Sequence, residues 1–373
     1  MNTPPRLAVV VSHPTQYYSP WFRFLHEQRD CTLRVFYLWD FGVTARRDPR
    51  FERTFQWDVD LLSDYDHEFV PNTAATPGTE RFAGLHNPAL PARLTTWRPD
   101  AILLFGYRYR THVRLIRWAR RQRIPLIFRG DSHLLAEPRP SLPKRLLLGW
   151  IYRHFASITY VGAANRDYFA AFRVPPRKLF FAPHAVNQSH FDPAARVHRS
   201  AAQKLRESLG LHAGERVVLF AGKFAPNKQP LLLLSAFADL RPANVTLVLA
   251  GDGEQREMLQ RAASASAAPV KFLPFANQSE TWGLAVNEAM HMGVPCLVSD
   301  QVGCQRDLVT ENETGWVFAA AQPASLQAAL ARALVALEQK PAALRAAVAR
   351  RIGRYTYAQA SAGLMQAVQS AIR

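Results

Sequence analysis

The stretch Glu280-Thr-Trp-Gly-Leu-Ala-Val-Asn-Glu288-Ala-Met decides how the chain is interpreted. Its two carboxylates stand eight positions apart, which is close to two turns of an α-helix. A glutamate at the start of such a helix and another two turns along fall on roughly one face. The backbone N–H groups of the first turn can bind an anion. Spacing alone, however, favours a simpler interpretation, a capped amphipathic helix with Glu280 in its first turn and Glu288 facing solvent.

Three further motifs surround this stretch. Leu219-Phe-Ala-Gly-Lys-Phe-Ala-Pro-Asn-Lys228 and Leu249-Ala-Gly-Asp-Gly253 precede it, and Gly293-Val-Pro295-Cys-Leu-Val-Ser-Asp300 follows it. In content and order the series resembles the C-terminal domain of retaining nucleotide-sugar glycosyltransferases of the family-4 type (glycosyltransferase group 1). The resemblance covers most of the chain and implies the GT-B fold, an α/β architecture of two facing Rossmann-like, doubly wound domains with a central cleft.

The resemblance also implies roles for residues of the second half. Glu280 matches the glutamate that contacts the donor sugar, as a catalytic residue, and Glu288 matches the one that holds the ribose hydroxyls. The backbone at Trp282, Gly283 and Leu284 is expected to approach the diphosphate. The loop Gly251-Asp252-Gly253 is placed near the nucleotide base or ribose, although the same composition is common in turns without a ligand.

Lys223 and Lys228 follow a predicted strand, five positions apart, beside Gly222. Cations at a strand end can neutralise a diphosphate leaving group, where negative charge develops in the transition state. A solvent-exposed lysine pair is the alternative. The family has a basic pair at these positions, which favours donor binding.

Polar residues also follow two predicted strands of the first half. Arg129, Asp131 and His133 come directly after one strand, where ligands bind in open α/β sheets. Asp131 and His133 are therefore candidates to bind the acceptor or stabilise the reacting sugar, and a packing or surface role for each is the alternative. The segment with His13, Gln16 and Tyr17 follows the first strand, and in a GT-B fold this loop faces the acceptor, as Arg129 is also expected to do.

Composition narrows the class of protein. A chain of 373 residues with 48% hydrophobic residues is expected to form two globular domains. Three cysteines without metal-ligand spacing indicate a reducing compartment. The sequence contains no run of about 18 apolar residues, so no membrane span is expected. The expected location is therefore cytoplasmic, with peripheral association at the inner face of a membrane as an option. No cofactor and no metal are expected, because no Asp-x-Asp motif or His/Cys cluster occurs.

Positive charge is concentrated in the first half of the sequence. Residues 1–200 hold 29 Lys and Arg against 16 Asp and Glu, within a net charge of +17 for the chain. Arg110, Arg114, Arg117 and Arg121 stand at helical spacing in a stretch without acids. Such a face can meet an anionic membrane surface or a polyanion, or it can simply be solvated. Nucleic acid is not expected as a partner, since no nucleic-acid module is recognisable.

Apolar strand-like runs alternate with helical patterns along both halves, which predicts parallel sheets covered by helices. We expect an acceptor-binding domain over 1–195, a nucleotide-sugar-binding domain over 196–355, and a terminal helix over 356–373 that crosses back to the first domain. Residues 40–100 have no clear periodicity and are expected to be irregular.

The second half is shorter than its family pattern. Members generally place a helix and a strand, roughly twenty residues, between the segment at 270–275 and the glutamate motif, whereas four residues separate the two here. The strand that this removes is the central fourth one of the usual order. Either the 270–275 strand slides into the central slot, or the chain is an inactive deletion product.

The sequence thus predicts a retaining, hexosyltransferase-like enzyme of polysaccharide biosynthesis. It is expected to transfer a sugar from a nucleotide-sugar donor to a hydroxyl of a glycan or lipid-linked acceptor. The alternative is a catalytically impaired GT-B scaffold protein that binds a membrane surface or polyanion through its basic N-terminal half.

Overall fold

The computed structural model describes residues 3–43, 60–136, 138–274 and 283–373, together with the backbone of 46–48 and 53–55. The chain divides into two compact units. Unit 1 comprises Met1–Asn187 and Tyr355–Arg373, and unit 2 comprises Gln188–Arg354. Both are built from parallel strands that alternate with helices, so the predicted α/β class is confirmed.

Unit 1 contains one large parallel sheet, whose strand order is β5-β2-β1-β6-β7-β8-β9. The strands of unit 1 are β1 Arg6–Val11, β2 Thr32–Tyr37, β3 Arg46–Asp48, β4 Arg53–Phe55, β5 His67–Phe69, β6 Ala101–Phe105, β7 Leu126–Arg129, β8 Ser157–Tyr160 and β9 Leu179–Phe181. Its helices are α1 Ser19–Gln28, α2 Leu90–Trp97, α3 Arg110–Gln122, α4 Leu142–Tyr152, α5 Ala163–Ala171 and, at the end of the chain, α13 Tyr357–Ile372. β3 and β4 pair separately as an antiparallel hairpin.

The centre of this sheet is buried on both faces. The apolar run that forms β1 is almost fully buried from Leu7 to Val11, as expected for a parallel strand that helices cover on both sides. α13 belongs to one of these covering layers. Ser157 of β8 donates a hydrogen bond from Oγ to the Ala367 carbonyl (2.9 Å), and Trp21 of α1 donates from Nε1 to Ser361 Oγ (3.1 Å).

The prediction that residues 40–100 are irregular is wrong in part, because this span contains the edge strand β5 and the helix α2. α2 has Pro91 as its second residue and holds two adjacent threonines, Thr95 and Thr96, so its apolar pattern is weak. Asn87 fixes the loop before α2. Its Nδ2 donates to the carbonyls of Leu38 (3.0 Å) and Val70 (2.8 Å).

Unit 2 contains two smaller parallel sheets, one in the order β10-β11-β12 and one formed by β13 and β14. Its strands are β10 Arg216–Ala221, β11 Val245–Ala250, β12 Val270–Leu273, β13 Cys296–Ser299 and β14 Gly315–Phe318. Its helices are α6 Arg196–Ser208, α7 Pro230–Leu240, α8 Arg256–Ser266, α9 Leu284–His291, α10 Gln305–Leu308, α11 Pro323–Gln339 and α12 Pro341–Ile352.

The expectation that the strand at 270–275 slides into the central slot is wrong. β12 pairs with β11, with Leu247 opposite Val270, and β11 pairs with β10 on its other side. β12 therefore lies one strand away from β10. The reason is local, since α8 makes a short crossover that returns the chain beside β11, where Phe272 packs against the core around Phe224.

In the part of the chain that the structure describes, β10 pairs only with β11 and is therefore an edge strand. One of its two faces is also exposed. Alternate residues of β10 are exposed, and Leu219 is 61% exposed. In a doubly wound sheet the first strand is normally buried on both sides. The shortening of this sheet stays a prediction from sequence, because residues 275–282 lie outside the described part.

The exposure of β10 predicts that a leucine-to-alanine substitution lowers the free energy of unfolding less in β10 than in β11. Leu219→Ala is expected to change the free energy of unfolding by no more than about 0.5 kcal/mol, because the side chain is largely exposed. Leu247→Ala in β11 removes a fully buried leucine and is expected to cost about 2–5 kcal/mol. Denaturant unfolding measures both. A cost for Leu219→Ala as large as that for Leu247→Ala would mean that another segment covers β10 in solution.

Candidate functional site

Two loops of unit 2 lie side by side at the carboxyl ends of β10 and β11. The Phe224 N–H donates to the Asp252 carbonyl (2.8 Å), and the Gln255 N–H donates to the Phe224 carbonyl (3.0 Å). Phe224 itself is fully buried beneath them. The loops 222–228 and 251–255 are therefore held together by backbone hydrogen bonds, as one strand-end surface.

This close approach requires glycine in the second loop. A Cβ atom at position 251 would lie 2.0 Å from the Gly222 carbonyl oxygen, and one at 253 would lie 2.6 Å from that of Phe224. Both neighbours are backbone atoms, which cannot rotate away. The predicted donor residues Gly222, Gly251 and Gly253 thus have a structural role in joining the loops, whatever ligand the loops bind.

The predicted lysine pair lies on the first of these loops. Lys223 is half-buried at the end of β10, whereas Lys228 is exposed at the end of a short 3-10 helix, Pro226–Lys228. Gln229 accepts a hydrogen bond at Oε1 from the Ala321 N–H (3.4 Å), which links this loop to the segment after β14. Both lysines therefore belong to the loop that forms one half of the strand-end surface.

Asp252 is held in place by a cation that the sequence analysis did not single out. Arg256 Nη1 lies 3.6 Å from Asp252 Oδ1 and donates to the Gly251 carbonyl (3.1 Å). The same Asp252 oxygen accepts from the Gly253 N–H (2.9 Å). Arg256 follows Asp252 by four residues at the start of a predicted helix, a spacing at which helical side chains meet. That spacing could have identified Arg256 from the sequence.

The glutamate motif is described only from Gly283 onward. Gly283 precedes α9 with a φ of 95°, a left-handed conformation that suits glycine, and Leu284 is the first residue of the helix. Glu288 lies in the second turn of α9 and is buried, beside the fully buried Asn287. The simpler interpretation, with Glu288 facing solvent, is thus wrong. Glu280 and Trp282 lie outside the described residues.

Unit 1 contains a second cluster, centred on Arg129 at the carboxyl end of β7. Arg129 is 2% exposed, and its guanidinium donates to the carbonyls of Ala182 (2.9 Å) and Pro183 (3.4 Å). It also lies 4.7 Å from the centre of the Trp21 ring. Arg129 therefore fixes the segment after β9, and its predicted contact with an acceptor stays a prediction.

Asp131 meets a histidine that sequence reasoning missed. His184, only 4% exposed, places Nε2 3.7 Å from Asp131 Oδ2. Burial lowers the pKa of His184, and the neighbouring Asp131 carboxylate opposes this shift. His184 comes three residues after the end of β9, and that position near a strand end was the signal that could have identified it. His133 is half-buried, and burial lowers its pKa as well.

The loop after β1 approaches the same edge of the sheet through Tyr18. The Tyr18 and His184 rings lie 6.0 Å apart, and Arg129 lies 6.0 Å from the centre of the Tyr18 ring. Burial raises the pKa of Tyr18 to about 12. His13 accepts or donates a hydrogen bond at Nδ1 with Ser12 Oγ (3.0 Å) and packs edge-on against Phe41. The predicted residues Gln16 and Tyr17 are half-buried in this loop.

A buried histidine beside the carboxyl end of β6 makes the stability of unit 1 depend on pH. His112 of α3 is fully buried, and burial lowers its pKa to about 3. The folded state thus favours the neutral ring, and the unfolded chain protonates it below about pH 6.5. The contribution of the neutral His112 ring to stability is therefore fully present above that pH and is lost as the pH falls toward 3. Between about pH 7 and pH 5 the loss is expected to be about 2 kcal/mol.

Denaturant unfolding at a series of pH values checks this dependence. His112→Leu removes the titrating ring, so its unfolding free energy is expected to fall less steeply with decreasing pH, whatever its absolute stability. His26→Leu alters an exposed ring of the same unit and serves as the control. Equal slopes for wild type and His112→Leu would contradict the assignment.

Among the described residues, no group of three or more His, Cys, Asp or Glu side chains is arranged to hold a metal ion. The same part of the chain contains no helix long and apolar enough to cross a membrane.

Comparison with known proteins identifies the segment that carries the paired loops. Residues 215–336 match the family described as glycosyl transferases group 1. The chain is 29% identical over 240 residues to a D-inositol 3-phosphate glycosyltransferase of Segniliparus rotundus, an alignment that covers 56% of this chain and 49% of the relative. The chain spans about half the length of the curated relatives it matches.

Solved structures show the same fold over nearly the whole chain. HepE of Anabaena in complex with UDP-glucose has a TM-score of 0.70 at 16% identity, covering 98% of this chain and 100% of that one. The lipopolysaccharide outer core galactosyltransferase WaaB has a TM-score of 0.67 at 12% identity, covering 98% and 99%. Residues 215–336 therefore match a glycosyl transferases group 1 domain, within a chain whose α/β fold matches that of GT-B glycosyltransferase structures.

Proposed function

We propose that the protein transfers a sugar from a nucleotide-sugar donor, with UDP as the nucleotide, to a hydroxyl of a glycan or lipid-linked acceptor. The observation that carries this proposal is the pair of hydrogen-bonded loops at the ends of β10 and β11. These loops present Lys223 and Lys228 inside the segment that matches the family. The structural relative HepE was solved with UDP-glucose, which favours UDP.

The donor is proposed to lie along this strand-end surface. Lys223 and Lys228 neutralise the diphosphate, where negative charge develops as the glycosidic bond breaks. The N–H groups at the start of α9, after Gly283, add positive potential for the same phosphates. Glu288 accepts hydrogen bonds from the ribose hydroxyls, and Glu280 contacts the sugar. Gly251, Asp252 and Gly253 adjoin the base or ribose.

The acceptor is proposed to bind at the strand ends of unit 1. His13, Gln16 and Tyr17 contribute from the loop after β1, and Asp131 and His133 from the loop after β7. His184 is added to this set because it contacts Asp131. A buried, neutral imidazole beside a carboxylate can orient a sugar hydroxyl by hydrogen bonds.

The reaction is proposed to proceed with retention of configuration and without a side-chain nucleophile. The acceptor oxygen forms its bond to the anomeric carbon on the face from which the diphosphate leaves. The carbon–oxygen bond to the diphosphate breaks, and the acceptor proton passes to a phosphate oxygen. The protein contributes by positioning both substrates and stabilising the departing diphosphate. Polysaccharide biosynthesis is the corresponding pathway class, and no metal is required.

Nucleotide release from a panel of nucleotide sugars tests the proposal. Wild type is expected to release nucleotide from one or a few donors, including in the presence of a chelator. Glu288→Gln is expected to weaken donor use at least about tenfold, because a charged hydrogen bond to the ribose is lost. Glu313→Gln changes an exposed glutamate of the same unit and should leave release unchanged. Absence of release from every donor by a cooperatively folded protein would refute the proposal.

A second candidate function has one observation in its favour. Arg110, Arg114, Arg117 and Arg121 are all exposed along α3, so a non-catalytic protein could bind an anionic membrane or polyanion there. Glu280→Ala separates the two functions. Cellular function that survives this change would favour the scaffold, and its loss would favour the enzyme. Association with the inner face of a membrane is compatible with either.

A further inference from the structure

Helix α4 presents an apolar face to solvent. Leu142, Leu146, Leu147 and Trp150 are 66%, 64%, 56% and 56% exposed. At 3.6 residues per turn, Leu142, Leu146 and Trp150 follow one another along the helix, and Leu147 adjoins them. The opposite face holds Leu148 and Tyr152, which pack in the core of unit 1. The exposed stripe runs the length of the helix, about 16 Å.

Cations border this stripe on both sides. On the helical projection Lys144 and Arg145 fall on opposite flanks, and Arg153 follows at the C-terminal end. The sequence from 138 to 166 contains no Asp or Glu. An apolar face between basic flanks, with a tryptophan in it, is typical of helices that lie in the interface of a bilayer.

A basic depression adjoins the C-terminal end of α4. It has a volume of ≈ 550 Å³, and Arg120, Arg153, Lys178, His154 and Trp150 are among its lining residues. His154 packs edge-on against Trp150 at 4.7 Å. Three basic side chains around one depression suit a phosphate group that stands beside an inserted tryptophan.

We propose that α4 is a membrane-docking helix, which inserts Leu142, Leu146, Leu147 and Trp150 into the interface of a bilayer that contains anionic phospholipid. The basic depression then takes a lipid phosphate. A second copy of the chain fits this face less well, because pairing two such helices brings their cationic flanks together. A polyanion accounts for the cations and leaves the leucines without a partner.

The position of α4 between β7 and β8 relates membrane docking to the proposed acceptor site. α4 connects the carboxyl end of β7 to the amino end of β8. Its N-terminal end therefore starts from the edge of the sheet at which Arg129 and Asp131 lie. A docked α4 holds that edge near the bilayer, where a lipid-linked acceptor is anchored.

Flotation with phospholipid vesicles tests the docking without requiring turnover, so its outcome is independent of the proposed transfer reaction. Wild type is expected to float with vesicles of phosphatidylcholine and phosphatidylglycerol, and much less with phosphatidylcholine alone. The triple variant Leu146→Ser/Leu147→Ser/Trp150→Ser is expected to bind at least about tenfold more weakly, because the inserted apolar area is lost. Arg153→Ser is expected to weaken only the binding to anionic vesicles.

The double variant Val197→Ser/Leu205→Ser is the matched control, because it removes exposed apolar side chains from another basic helix, α6. All altered residues are exposed, so thermal melts should be unchanged. Unchanged vesicle binding by the triple variant would overturn the proposal. So would absence of wild-type binding combined with a dimer that the triple variant abolishes, since α4 would then be a self-association face.

Discussion

Lys228→Ala and Lys223→Ala are each expected to lower kcat for nucleotide release by about 100-fold. Each removes a cation from the loop that is hydrogen-bonded to the end of β11. Loss of one electrostatic contact to the charge that develops in the transition state typically costs about 10²–10³-fold. Since the diphosphate gains charge only as the bond breaks, kcat should fall more than KM rises.

Lys204→Ala provides the control for this pair, because Lys204 is an exposed lysine on α6 of the same unit. Its nucleotide-release rate should equal that of wild type. Steady-state assays with the preferred donor measure all three variants. A rise in KM at unchanged kcat for Lys228→Ala would show that the lysine only assists ground-state binding, contrary to the role given to it here.

Gly251→Ala is expected to destabilise unit 2 by at least about 3 kcal/mol, a cost at the upper end of overpacking substitutions. The added Cβ would lie 2.0 Å from the Gly222 carbonyl oxygen. The two loops must then separate, which breaks the hydrogen bond from the Gly222 N–H to the Ala250 carbonyl (3.0 Å). Donor binding should be lost together with this stability.

Gly78→Ala is the same chemical change at a site where a Cβ meets nothing within 4 Å, and it should leave both properties unchanged. Denaturant unfolding and titration with UDP measure stability and donor binding separately. Full stability in Gly251→Ala would mean that the loops at the ends of β10 and β11 are further apart in solution.

The strand–helix alternation of the chain was predictable because its strands are short apolar runs with clear boundaries. β1 and β11 are examples, and burial on both faces of a parallel sheet explains their continuous apolar character. α3 was predictable from its arginine spacing, which places charge on one face and Leu115 and Ala119 in the core. α2 was missed because Pro91 and two threonines interrupt its period.

The position of β12 could not be read from its sequence, because any apolar run of that length fits either side of the sheet. The preceding α8 crossover decided it. The environment of Arg129 could not be predicted from the sequence either. A buried guanidinium that donates to two carbonyls near His184 depends on segments more than 50 residues apart, and no local pattern encodes such a pairing. The family resemblance supplied the donor residues, whereas the hydrogen bonds between their loops came only from the structure.

The central claim is that unit 2 binds a nucleotide sugar at the strand-end surface around Lys223, Lys228 and Gly251. Calorimetric titration of the folded protein with a panel of nucleoside diphosphates, UDP first among them, tests it most directly. We predict saturable binding of UDP with one site per chain, weakened in Lys228→Ala and unchanged in Lys204→Ala. A protein that melts cooperatively yet binds none of the nucleotides would contradict the claim.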